Sequence, residues 1–111
     1  MSKFDEKLAL YQSEMKKLGI SFDADLLTKV TKGLGPSIYK ADAETVSGSD
    51  KKELETVKKN FLMKKLGLSD GPKLDNALDA VIEKVGKSNR NKYRAIVYYL
   101  LVKELGQESK Y

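Results

Sequence analysis

Residues 95–102 read AIVYYLLV, eight apolar or aromatic residues in a row between Arg94 and Lys103. Their β-branched and aromatic content would suit a strand. Nothing breaks the segment between Tyr93 and Leu105, however, which is long for a strand, and the chain has no second strong strand to pair with it. On a helical wheel Tyr93, Ile96, Val97, Leu100 and Leu101 share one side, with Ala95, Tyr98 and Val102 opposite. Lys92, Tyr99 and Lys103 make the one narrow polar strip. A helix that is apolar nearly all round belongs in an interior. The spacing therefore predicts a central helix from about Asn89 to Leu105, with other elements packed about it. The alternative is that the Ala95, Tyr98 and Val102 side meets a second subunit.

Four further helices are expected to supply that packing. Phe4, Leu8, Tyr11, Met15 and Leu18 fall on one helical face, and Gly19 followed by Ile20 suits a Schellman-type stop. A second helix is expected from about Asp23 to Lys32, capped by Asp23 or Ser21, with Leu26, Leu27 and Val30 inward. Residues 36–49 read as a partly buried connector with one helical turn around Ala41–Thr45. Asp50 and Glu53 form a capping box for a third helix bearing Leu54, Val57, Phe61 and Leu62. After the turn SDGP, Leu74, Ala77, Leu78, Val81, Ile82 and Val85 define the cleanest amphipathic helix in the chain. The strings MKKLGIS (15–21), MKKLGLS (63–69) and the looser VKELGQE (102–108) recur. They read as three helices converging on one way to stop: lysines suit the negative end of the dipole, leucine closes the core face and glycine takes the left-handed cap. The expected fold is all-α, a compact multihelical single domain of about five helices over residues 1–111.

At 111 residues the chain can bury roughly two-thirds of its unfolded surface, so no metal or disulfide staple is needed. It has no cysteine and no histidine. The missing types are the commonest general acid–base group, the thiol nucleophile and the imidazole ligand. The expectation is a protein that is not an enzyme and has no cofactor or metal. Gly33-Leu34-Gly35-Pro36 has glycines but lacks the lysine–serine ending of a phosphate loop. Asp75, Asp79 and Glu83 lie at i, i+4 and i+8, an acidic line that reads as solvated surface rather than a converging metal site. The lysine pairs 51–52 and 58–59 share a face with Glu55 and also read as solvated. The start, MSKFDEKLAL, has acids where a secretory core would sit, and no apolar run approaches a membrane span. A cytoplasmic location with no membrane contact is expected.

The net charge is +5, and all but two of the 21 basic residues are lysine, the ordinary solvated cation. Both arginines fall near the start of the last helix, with Lys87, Arg90, Lys92 and Arg94 close together. Positive charge at the positive end of a helix dipole forgoes about 0.3–1 kcal/mol per favourable contact unless something acidic faces it. The acidic partner is expected inside the protein, from Asp75, Asp79, Glu83, Asp23 or Asp25. An external anion, the phosphate of a nucleotide or nucleic acid, is the alternative. A helix-turn-helix reading fails, because the helix that would cross the DNA backbone is the acidic one.

SDKKELETVKKNFLMKKLGL (49–68) and NRNKYRAIVYYLLVKELG (89–106) resemble domain-of-unknown-function family 2853. The resemblance extends over most of the chain and is weakest in the first twenty residues. It implies a small multihelical bacterial protein and no assigned activity, so no functional residue carries over. The expected role is a non-enzymatic structural or protein-interaction domain, with a homodimer or another protein as partner. Weak binding of nucleic acid or a phosphorylated ligand is the alternative.

Overall fold

The computed structural model describes residues 3–46, 51–86 and 92–111, and helices make up its regular structure. Helix α1 spans Lys3–Lys17 and buries Tyr11 and Met15. It ends as the spacing predicts. Gly19 takes φ +72°, the Gly19 N–H reaches the Lys16 carbonyl at 3.0 Å, and the Ile20 N–H reaches the Met15 carbonyl at 2.9 Å. These are the paired bonds of a Schellman stop. Helix α2 spans Ala24–Gly33, with Asp23 as its cap. The Asp23 carboxylate accepts from the N–H groups of Asp25 at 3.0 Å and Leu26 at 3.4 Å.

The connector that follows is described as far as Val46. A 3-10 turn over Gly35–Tyr39 leads into the single helical turn α3, Ala41–Glu44. Ile38 and Val46 are buried, as expected of a connector folded onto the core. The next helix departs from expectation. It begins as α4, Lys51–Val57, then continues as a π-helix over Lys58–Lys65. Asp50, the cap expected for it, lies outside the described residues. Helix α5, Pro72–Val85, buries all six residues of its predicted stripe.

Helix α6 spans Arg94–Glu104 and buries every residue from Ala95 to Val102. It packs most extensively against α5 and α2, and also touches α1 and α3. Taking α4 with its π continuation as one helix, and setting aside the one-turn α3, the described residues form five helices, four of them packed around this buried last one. The Cα radius of gyration is 13.0 Å, which matches the scaling for a compact chain of this length.

The start of α6 needs correction. The sequence placed it near Asn89, whereas Tyr93 is its N-cap, in extended conformation. Tyr93 pairs as an isolated antiparallel bridge with Thr45, and the Lys92 carbonyl accepts from the Val46 N–H at 2.7 Å. Backbone committed to that pairing cannot enter the helix. Tertiary contact with the connector thus overrides a local pattern that favoured helix. No strand is found among the described residues.

Candidate functional site

Arg94, the first residue of α6, is turned back toward the connector and α4. Its Nε donates to the Ala43 carbonyl at 2.8 Å. One terminal nitrogen donates to Glu53 Oε1 at 2.7 Å, and the other to the Tyr98 hydroxyl at 3.1 Å. The Arg94 side chain is 15% exposed and that of Glu53 30%. Burial works against the guanidinium charge, but the bonds to Tyr98 and Glu53 outweigh it and hold its pKa above the usual value. Arg94 therefore ties together α6, α3 and α4.

Helix α3 is tied from its other side as well. Glu44 Oε2 accepts from Lys7 Nζ at 2.8 Å and from the Tyr11 hydroxyl at 2.7 Å, both on α1. Burial, then the bond to Glu44, push the Tyr11 phenol well up in pKa. The Tyr11 ring meets that of Tyr93 at 5.1 Å between centroids, tilted by 47°. Four residues of connector thereby join the two ends of the chain's helical sequence.

Of the four basic residues read from the sequence, Lys92 and Arg94 fall within the described residues, and neither stands exposed. Lys87 and Arg90 lie outside the described residues. Lys92 is 5% exposed, and Arg94 is engaged as above. The carboxylate that meets Arg94 is Glu53, none of the five acids expected. Glu53 was assigned to the capping box, so its availability was hidden. The proposed subunit-facing side is interior. Ala95 and Val102 are fully covered, and Tyr98 stacks on Phe61 of the π-helix, 3.9 Å between centroids at 17°. The chain's own packing covers that side.

Two further residues differ from their expected roles. Tyr99, assigned to a polar strip, is 1% exposed. Its hydroxyl accepts from the Asp23 N–H at 2.7 Å, so the central helix reaches across to the start of α2. Lys58, assigned to a solvated face, is buried. Its ammonium pairs with Asp70 at 2.7 Å and Asp75 at 3.0 Å. The hydrogen bonds to Asp70 and then Asp75 raise the pKa of Lys58, and the same bond lowers that of Asp70. A single basic residue inside a lysine-rich run gave no signal of this. Lys59 does pair with Glu55, at 3.5 Å. Among the described residues no group of three or more acids, histidines or cysteines could hold a metal ion. None of their helices is long and apolar enough to cross a membrane.

The fold and these contacts define an all-helical domain whose best-placed charges hold its own helices together. The family model described as "Protein of unknown function (DUF2853)" matches residues 10–109, and the chain belongs to that family. No curated protein matches the chain.

Proposed function

We propose that the protein is a non-enzymatic structural or protein-interaction domain of the bacterial cytoplasm. The observation that carries this reading is the engagement of Arg94 by Glu53, Ala43 and Tyr98. Of the chain's two arginines, the one among the described residues is occupied internally, and Lys92 beside it has little exposed surface. The absence of histidine and cysteine from the chain supports a role without acid–base or thiol chemistry. A partner would meet the remaining surface, where Leu10 and Tyr39 are large apolar side chains left exposed at 39% and 46%.

Light scattering at several concentrations, together with affinity capture and cross-linking of the full chain, tests the reading. A self-associated species or a stoichiometric protein partner is expected, and replacing Leu10 or Tyr39 with lysine should weaken it. A strict monomer with no stoichiometric partner counts against it. Gel shifts and a nucleotide screen at low salt test the competing reading. Binding that falls steeply as salt rises would put nucleic acid or a phosphorylated ligand first.

A further inference from the structure

Beside α6 lies a cleft of about 160 Å³ that none of the contacts above fills. The stacked pair of Phe61 and Tyr98 lines it, together with Tyr111. Leu34 adds apolar floor, while Asn60 and Lys65 stand exposed at the mouth. Gly33 keeps the space open. A Cβ there would come within 3.8 Å of both Lys65 Nζ and the edge of the Tyr111 ring, so a longer side chain would enter the cleft.

The π winding assembles the polar mouth. In an α-helix, residues five apart point about 140° from one another. A π-helix closes its bonds from i to i+5, so it brings such residues onto one side. Asn60 and Lys65 are five apart in the π-helix Lys58–Lys65, and both line the cleft. Lys65 is the one charged side chain in the lining. Its ammonium sits 5.6 Å from the centroid of the Tyr111 ring, and among the described residues no carboxylate pairs with it. The cleft thus offers aromatic side chains, one amide and one cation that no carboxylate meets among the described residues.

We propose that this cleft binds a small planar aromatic carboxylate. A cavity of about 150 Å³ accepts benzene, so the volume fits a single six-membered ring. The ring lies among Phe61, Tyr98 and Tyr111. Its carboxylate accepts from Lys65 Nζ, and the Asn60 amide supplies a second donor. Neither Leu10 nor Tyr39, the exposed apolar side chains offered to a protein partner, lines this cleft.

Titrating the full chain with benzoate and following backbone amides by NMR tests the assignment. Saturable shifts are expected at Gly33, Lys65 and Tyr111. Benzamide, which keeps the ring and loses the charge, should bind at least tenfold more weakly. So should acetate, which keeps the charge and loses the ring, and cyclohexanecarboxylate, which is not planar. Lys65→Met should weaken benzoate at least tenfold and leave benzamide unchanged. Gly33→Leu should abolish benzoate binding while the circular dichroism spectrum stays helical; if that variant does not fold, Lys65→Met alone decides. Benzoate that never saturates, or that binds no tighter than the three analogues, overturns the proposal. So does a Lys65→Met variant that binds benzoate like the wild type.

Discussion

Arg94 shows how one side chain can be a stabilising joint and look, in sequence, like a receptor. Its planar guanidinium has donors for three directions at once, and a carbonyl, a carboxylate and a hydroxyl fill them. A lysine could not reproduce that geometry. Arg94→Glu removes all three bonds and sets a carboxylate against Glu53. Bonds to charged groups contribute about 1.5–3 kcal/mol, so a loss of about 2–4 kcal/mol is expected in denaturant melts. Phosphate should change neither the wild-type nor the mutant melting temperature. A stabilised mutant that had lost sensitivity to phosphate would instead make Arg94 an anion receptor. Tyr99 supports a smaller expectation. Tyr99→Phe leaves the Asp23 N–H without its acceptor, so the helix cap and the core lose a joint together. Destabilisation of about 1–2 kcal/mol is expected, with helicity nearly unchanged.

At the scale of elements, the helix ends and inward stripes were legible, because each is written within a few adjacent residues. The Asp23 cap, the Gly19 stop and the six buried positions of α5 all follow from local spacing. The π-helix was not legible, and the repeated string shows why. MKKLG at 15–19 closes an α-helix, with the Ile20 N–H bonded to the Met15 carbonyl five residues back. The same letters at 63–67 close a π-helix, and the Leu68 N–H reaches back six residues to Leu62. The difference lies in distant contacts: Phe61 stacks on Tyr98, and Lys58 is held by Asp70 and Asp75. The candidate site was hidden for the same reason. Its walls come from α2, the π-helix, α6 and the C-terminal Tyr111, none of them neighbours in sequence. The glycines offer a test that depends on backbone and not on packing. Gly19 has φ +72°, so Gly19→Ala should cost about 1–2 kcal/mol. Gly33 ends α2 without a positive φ, and an added Cβ meets only ordinary contacts at 3.8 Å. Gly33→Ala should therefore stabilise by about 0.4–1 kcal/mol. Paired melts read the two signs directly; equal shifts would contradict this assignment of the two backbones.

For the whole molecule, the ionisable groups that hold the helices together set a window of pH. At the acid end the sign follows from Asp70. Its folded pKa is depressed by Lys58, so its contribution is present above the unfolded carboxylate value, about 3.9. That contribution is lost as pH falls through the folded value. At the alkaline end the sign follows from Tyr11, Tyr93 and Tyr111, all raised, with burial the leading cause for each. Unfolded tyrosines ionise near about 10, while these three hold their protons in the fold. Below that value their contribution is fully present. Above it the unfolded chain releases protons that the folded chain retains, so stability drains away as pH rises toward the folded values. Lys58, raised by Asp70 and Asp75, adds loss in the same direction. Urea melts from pH 3 to pH 11 should give a plateau between about 5 and 9 and a fall on both sides. Tyr11→Phe separates the contributions. Lys7 still holds Glu44 in that variant, so the fold should survive with a loss of about 1–2 kcal/mol at neutral pH. Its alkaline limb should be shallower than that of the wild type, because one of the three protons no longer counts. An alkaline limb of unchanged slope would mean that the Tyr11 phenol is not what couples α1 to α3 at high pH.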